Sequence, residues 1–140
     1  MLLLCAGNIC RSPAAAAVLA RLGAERGLDL EVRARGTHDW NAGAGAHPAM
    51  AAAATARGYD LGGHVAAQVS AGDLAWADEV LVMDEANRAD LAARFPEQAA
   101  KASLLDPAGI PDPWPGTRPG AFAAAFDQIE AAVRAWLAAR

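Results

Sequence analysis

The chain has 140 residues, of which 54% are hydrophobic and 20% charged, a size and composition typical of one globular domain over residues 1–140. Its net charge of −4 argues against a nucleic-acid partner, because phosphate backbones attract basic surfaces. No apolar run approaches the ~20 residues of a membrane span and no basic segment precedes the apolar start, so we expect a cytoplasmic protein that does not contact membranes.

The first fifteen residues combine a short buried strand, a tight loop and the start of a helix. Residues 1–4 are apolar, as in a buried parallel strand, and Pro13 followed by alanines is typical of a first helical turn. Between these elements, Cys5 begins a loop and Arg11 follows six positions later. Loop amides and first-turn amides have no partner within the helix, so this loop is predicted to bind an anion.

The residue types of residues 5–12, which we call the anion loop, suit covalent chemistry on a phosphate. The helix dipole and Arg11 favour the thiolate of Cys5, the nucleophilic form of a cysteine. The planar fork of Arg11 can hold two phosphate oxygens. Ser12 can hydrogen-bond the sulfur, while Gly7 and Asn8 suit the positive φ angles that a cradle needs. The alternative is a cysteine with a purely structural role.

The next elements are a helix, a strand and a glycine-rich loop. The helix is predicted over residues 12–26, with Gly27 ending it, and the strand over residues 28–34. The loop over residues 36–48 contains Trp40, although large apolar side chains are rare in such loops. Trp40 therefore either covers the edge of the core or forms an aromatic wall beside the anion loop.

Strands and helices continue to alternate along the rest of the chain. Helices are predicted over residues 48–57, 70–77, 84–94 and 119–139, and strands over residues 79–83 and 102–105. This pattern predicts a single doubly wound α/β domain, with a four-stranded parallel sheet flanked by helices on both faces. Ligands of such sheets bind beyond the carboxyl ends of the strands, where Cys5 also falls.

A second informative loop, which we call the proline loop, covers residues 106–120 and holds five prolines. Prolines stiffen a loop by lowering the entropy of the unfolded chain, so the loop is a good platform for one fixed side chain. Asp112 lies between two of them. It either closes a local turn with its own backbone, as Asp residues often do, or is a catalytic carboxyl. The presence of Cys5 favours the catalytic role.

Four stretches of the chain resemble the low-molecular-weight protein tyrosine phosphatases. Residues 5–13, Cys-Ala-Gly-Asn-Ile-Cys-Arg-Ser-Pro, resemble the signature loop of that family. Residues 36–41 resemble its Gly-Thr-x-Asp-Trp-Asn stretch, and residues 83–87 a further family stretch. Residues 112–114, Asp-Pro-Trp, resemble its general-acid loop. The excess of arginine over lysine and the many alanines are typical of a bacterial genome rich in G and C.

The resemblance implies a role for each matching residue. Cys5 would be the nucleophile, Arg11 the phosphate ligand, and Asp112 the general acid and then the general base. His64 would support the anion loop from behind, whereas His38 and His47 are predicted to be exposed loop residues. The implied substrate-binding residues are Ala6, Gly7, Asn8, Ile9, Cys10, Ser12, Trp40 and Trp114. Neither a metal nor another cofactor is implied.

The implied substrate is a phosphotyrosine-containing protein, such as a bacterial tyrosine kinase or one of its substrates. Inorganic phosphate would be both product and inhibitor. Phosphoarginine phosphatases of the same fold are the first alternative, but they typically have Thr where this chain has Ile9. Arsenate reductases with the same loop need further cysteines, and none follows Cys10.

Two further functional alternatives remain open. One rests on positions where this sequence differs from the family's pattern, and the other rests on the second cysteine. The family's Ser-Ala-Gly-Thr stretch is replaced by Ala-Arg-Gly-Thr at residues 34–37, and an Arg that the family has after His64 is missing. These changes leave open a catalytically silent module that only binds phospho-ligands. Cys10, close to Cys5 in the chain, also leaves open a reversible disulfide that would protect an oxidised Cys5.

Overall fold

The computed structural model describes residues 1–114 and 118–140. Four parallel strands form one sheet in the order β2-β1-β3-β4, with β1 at Leu2–Cys5, β2 at Arg33–Gly36, β3 at Val80–Val82 and β4 at Ala102–Leu104. The helices are α1 at Arg11–Glu25, α2 at Pro48–Ala56, α3 at Ala71–Trp76, α4 at Glu85–Arg94 and α5 at Ala121–Ala138. The predicted doubly wound, four-stranded parallel sheet is confirmed.

Strand β1 is buried on both faces, which explains its unbroken apolar sequence. Leu3 packs in a core with α1, α2 and α5 on one face of the sheet. Leu2 and Leu4 pack on the other face with Leu74 of α3 and Leu91 of α4. Because helices cover both faces, no side of β1 carries the polar residues that alternate along a half-exposed strand.

The predicted position of the second strand was wrong. The sequence predicts residues 28–34, whereas β2 is Arg33–Gly36 and pairs in register with β1, so that Gly36 lies opposite Cys5. β2 is an edge strand in which two partly exposed arginines alternate with buried Ala34 and Gly36. The strand therefore has no apolar run to mark it, and the apolar residues Leu28, Leu30 and Val32 just before it account for the wrong prediction.

The helix N-termini differ in a way that bears on function. α3 and α4 begin with reciprocal capping boxes, formed by Ser70 with Asp73 and by Asp84 with Asn87. Within the part of the chain that the structure describes, no side chain caps the first turn of α1. The amides at the start of α1 therefore remain available to a ligand.

Each strand of the sheet leads, at its carboxyl end, into a loop at the same edge. The anion loop follows β1, the glycine-rich loop follows β2, Asp84 follows β3 by two positions, and the proline loop follows β4. Residues 115–117 of the proline loop lie outside the described residues. In the described ranges, none of the helices is both long and apolar enough to cross a membrane.

Candidate active site

A cavity of about 330 Å³ opens at the carboxyl edge of the sheet. Its walls come from the anion loop, the glycine-rich loop and the proline loop. The lining residues are Cys5, Ala6, Gly7, Asn8, Ile9, Cys10, Arg11, Trp40, Asn41, Asp112 and Trp114. Of the residues predicted for the site, only Ser12 and His64 do not line the cavity. Asn41 lines it but was not predicted.

The carbonyl oxygens of residues 5–9 in the anion loop all accept hydrogen bonds from neighbouring segments of the chain. The donors to the carbonyls of residues 5–9 are, in order, Thr37 N at 2.9 Å, His38 N at 3.1 Å, Asn41 Nδ2 at 3.2 Å, His64 Nε2 at 2.6 Å and His47 N at 2.8 Å. The backbone amides of residues 6–10 have no acceptor among the described residues. Because these carbonyls are bonded to other segments, the amides remain available to an anion in the cavity.

Asn8 organises the loop from within. Its φ of 57° lies in the left-handed region, which Asn tolerates better than most residues. Its side-chain Oδ1 accepts from the backbone N–H of Ala67 at 3.0 Å, and its Nδ2 donates to Ser12 Oγ at 2.8 Å. These two bonds tie the turn of the loop both to the segment after residue 64 and to the first turn of α1.

The hydroxyl of Ser12 links this network to the sulfur of Cys5. Ser12 Oγ lies 3.0 Å from Cys5 Sγ and 3.3 Å from Arg35 O. Because Oγ accepts from Asn8, its own proton is free to go to the sulfur or to that carbonyl. When the sulfur is a thiolate it is the better acceptor, since a hydrogen bond to an ionised group is about twice as strong as a neutral one.

His64 lies behind the anion loop, where the sequence predicts it. Burial lowers the pKa of His64, outweighing its hydrogen bond to Asn8 O, which acts in the opposite direction. The imidazole is therefore neutral at neutral pH. In that state Nε2 donates its proton to Asn8 O at 2.6 Å and holds the loop without adding positive charge.

Arg11 is the first residue of α1, and its side chain is only 3% exposed. One terminal nitrogen donates to Asp84 Oδ2 at 2.7 Å and to Ile110 O at 2.8 Å. Asp84 is itself fixed, because its Oδ1 accepts the backbone N–H of Asn87 at 2.8 Å. These bonds fix the guanidinium plane and leave Nε and the other terminal nitrogen for a ligand.

Asp84 and Ile110 were missed as site residues. The sequence predicts only that a helix begins at Asp84. A carboxylate at the carboxyl end of β3 lies at the ligand edge of the sheet, and this signal could have found it. No sequence signal marks Ile110. Its side chain is fully buried, its backbone N–H donates to Met83 O at 2.8 Å, and its carbonyl holds Arg11.

Asp112 has both of the features that the sequence left as alternatives. Its Oδ1 accepts the backbone N–H of Trp114 at 3.0 Å, which closes a local turn. Its Oδ2 lies 3.7 Å from a terminal nitrogen of Arg11, inside the cavity. The side chain is 43% exposed, so it can exchange protons with solvent. One carboxylate oxygen therefore closes the turn while the other faces the cavity, so the two alternatives are compatible.

Two tryptophans form the rim of the cavity. Trp40 is 66% exposed, so it does not cover the edge of the core, and its ring stacks on His38 with centroids 4.0 Å apart. Trp114 is 56% exposed and contacts His47 at a centroid distance of 5.0 Å. The prediction that His38 and His47 are exposed was wrong, because both rings are partly covered by these aromatic contacts.

The two cysteines differ in environment although both are buried and free. Burial, together with the nearby Cys5 and Asp112, raises the pKa of Cys10 to about 12. Cys10 therefore presents a neutral thiol to the cavity at neutral pH. A reversible disulfide between the two sulfurs stays a hypothesis.

Gly36 is required where β2 meets the anion loop. A Cβ atom there would lie 2.9 Å from Ala6 O, 2.9 Å from His38 O and 3.1 Å from Asn8 Cβ. The first two contacts are with backbone atoms, so they cannot be relieved by a rotamer change.

We therefore expect Gly36→Ala to lower the free energy of unfolding by about 2 kcal/mol and to reduce catalytic turnover, because the loop must move. Thermal unfolding and steady-state kinetics measure both effects. Gly63→Ala is the matched control, since its Cβ would have no neighbour within 4 Å. Equal behaviour of the two variants would contradict the assignment of Gly36.

Comparison with known proteins agrees with this geometry. A family model described as low molecular weight phosphotyrosine protein phosphatase matches residues 1–140. A low molecular weight protein-tyrosine-phosphatase of Streptomyces coelicolor is 36% identical, over 96% of this chain and 89% of that protein. The phosphatase Wzb of Salmonella typhi is 34% identical, over 97% of this chain and 90% of that protein.

A solved structure is also closely similar. Wzb of Vibrio vulnificus, in complex with benzylphosphonate, has a TM-score of 0.90 and 27% identity to this chain, covering 99% of this chain and 97% of its own. The match of the family model over the whole length and the identity to curated relatives lead to the same assignment. This chain belongs to the low-molecular-weight phosphotyrosine protein phosphatase family.

Proposed function

We propose that this protein hydrolyses phosphotyrosine monoesters in proteins, without a metal ion, through a cysteinyl-phosphate intermediate. The observation that carries the proposal is one cavity lined together by Cys5, Arg11 and Asp112, beside a loop whose backbone amides have no acceptor among the described residues. A nucleophile, a cation for the phosphate oxygens and a proton donor are the three groups that this reaction needs.

In the first step the Cys5 thiolate attacks phosphorus in line with the leaving group. An S–P bond forms while the P–O bond to the tyrosine ring breaks, and Asp112 gives its proton to the departing phenolate oxygen. The loop amides and Arg11 bind the three other phosphate oxygens, whose charge they stabilise in the transition state. The fixed guanidinium avoids reorganisation at that moment.

In the second step water replaces the sulfur. The Asp112 carboxylate takes a proton from the water as its oxygen attacks phosphorus, and the S–P bond breaks. The leaving thiolate is stabilised by the hydroxyl of Ser12, 3.0 Å away. The product is inorganic phosphate, which fits the same cradle, so we expect it to inhibit the enzyme by competition.

The shape and polarity of the cavity favour an aryl phosphate. Trp40 and Trp114 offer flat apolar surfaces on which an aromatic ring can lie. Ile9, which also lines the cavity, offers no hydrogen-bond acceptor for the guanidinium of a phosphoarginine. The substrate would be a phosphotyrosine protein, such as a bacterial tyrosine kinase or its substrates. The free thiols suit the reducing cytoplasm, where we propose the reaction occurs.

Hydrolysis of matched phosphopeptides in the presence of EDTA tests the proposal. We expect kcat/KM for a phosphotyrosine peptide to exceed that for the phosphoserine and phosphoarginine versions by at least about 100-fold. Faster cleavage of phosphoarginine would support the alternative phosphatase. Binding of phosphotyrosine without turnover would support the silent module, and activity lost in EDTA would contradict the metal-free mechanism.

A further inference from the structure

His47 contacts four parts of the molecule and has no role in the mechanism above. Its backbone N–H donates to Ile9 O of the anion loop at 2.8 Å. Its ring Nδ1 accepts the backbone N–H of Ala49 at 3.0 Å and so caps α2. The ring stacks on Phe122 of α5, with centroids 4.7 Å apart, and contacts the Trp114 indole at 5.0 Å.

Trp114, which contacts the His47 ring, is in turn hydrogen-bonded to the carboxyl of Asp112. The backbone N–H of Trp114 donates to Asp112 Oδ1, so that oxygen acts as a hydrogen-bond acceptor. A proton on the carboxyl therefore lies on Oδ2, the oxygen 3.7 Å from Arg11 in the cavity. The orientation of Oδ2 depends on the turn of residues 112–114, and the Trp114 ring is the largest side chain of that turn.

Trp114 is 56% exposed, so more than half of its surface faces solvent. The His47 ring, by contrast, is fixed on both sides by α2 and by Phe122. A fixed ring packed against a largely exposed one lowers the number of rotamers that the exposed ring can take. A misplacement of about 1 Å in a catalytic group can cost about 100-fold in rate, so this contact matters for proton transfer.

We propose that His47 is a positioning residue for the general acid: its ring holds Trp114 and thereby aims Asp112 Oδ2 at the leaving oxygen. The proposal rests on the proposed phosphatase activity, in which Asp112 protonates that oxygen. The proposal gives His47 two separate roles. The lone pair on Nδ1 caps α2 and contributes stability, whereas the ring face against Trp114 contributes to acid catalysis.

Two substitutions separate these uses. His47→Asn keeps an N-cap acceptor but removes the ring, and His47→Phe keeps a ring but removes the acceptor. Each variant is assayed with phenyl phosphate, whose leaving group needs protonation, and with dinitrophenyl phosphate, whose leaving group does not. The melting temperature of each variant measures how much the cap of α2 contributes to stability.

For His47→Asn we expect kcat/KM to fall about tenfold with phenyl phosphate and less than about twofold with dinitrophenyl phosphate, with little change in melting temperature. For His47→Phe we expect both kcat/KM values to stay within about threefold of wild type. Its melting temperature should fall by about 3–5 °C, because the cap is lost.

Asp112→Asn provides the benchmark. It should lose about 100-fold or more with phenyl phosphate, and adding His47→Asn to it should cost nothing further, because both changes act through the same proton. Equal losses on the two esters in His47→Asn, or additive losses in the double variant, would overturn the proposal. A wild-type enzyme that hydrolyses neither ester would instead overturn the proposed function.

Discussion

Replacement of Cys5 by serine is expected to abolish turnover, lowering kcat for p-nitrophenyl phosphate by at least about 10⁴-fold. The Ser12 hydroxyl lies 3.0 Å from the sulfur and can donate to a thiolate, and a thiol ionises far more readily than a hydroxyl. Within residues 1–114 and 118–140, no carboxylate or imidazole hydrogen-bonds the sulfur. A serine here would therefore lack a base to activate it.

Cys10→Ser is the matched comparison for Cys5→Ser. The raised pKa of Cys10, about 12, keeps its thiol neutral at neutral pH, so we expect its loss to change kcat by less than about fivefold. Iodoacetate at neutral pH should label Cys5 and spare Cys10. Vanadate should block the wild type. Activity of Cys5→Ser above about one per cent of wild type, with its fold intact, would contradict the covalent mechanism.

Arg11→Lys is expected to lower kcat/KM by about 10³-fold, although the charge is retained. One terminal nitrogen of Arg11 is committed to Asp84 Oδ2 and Ile110 O, which leaves the rest of the fork for the phosphate. A lysine ammonium is a single point, so it cannot keep these two bonds and still hold two phosphate oxygens. We expect kcat to fall and the inhibition constant of phosphate to rise together.

Arg21→Lys serves as the control for Arg11→Lys because Arg21 also lies on α1 but far along it. Arg21 is half exposed, pairs with Glu25 at 3.3 Å and donates to Gly58 O at 2.6 Å. We expect its replacement to leave kcat/KM unchanged. A loss of less than about tenfold in folded Arg11→Lys would show that positive charge alone, and not the fixed fork, serves the phosphate.

The anion loop could be predicted from the sequence because its signals are local. A strand, a loop and a helix start follow one another within fifteen residues, and geometry places a loop of this kind at the ligand edge of the sheet. The turn at Asp112 is also local, because its carboxylate accepts the backbone N–H of Trp114, two positions later. The capping boxes of α3 and α4 are also formed by residues three positions apart.

The position of the edge strand β2 could not be predicted from the residues close to it in the chain. Its position is decided by pairing with β1, which sets Gly36 opposite Cys5, and not by a hydrophobic run of its own. The close approach at Gly36 then lets the backbone after β2 hold the carbonyls of the anion loop. The residues close to β2 in the chain do not predict this pairing, because its partner strand β1 is about 30 positions away.

The sequence by itself determined the alternation of strands and helices, the loop between β1 and α1 and the local turn at Asp112, because periodicity, turns and caps depend on residues close in the chain. Only the tertiary structure decided that Asp84 and Ile110 fix Arg11, and that His47 meets Trp114. Arg11 is 73 positions from Asp84 and 99 from Ile110. Such contacts arise because parallel strands bring the loops at their carboxyl ends to one edge, which no local pattern encodes.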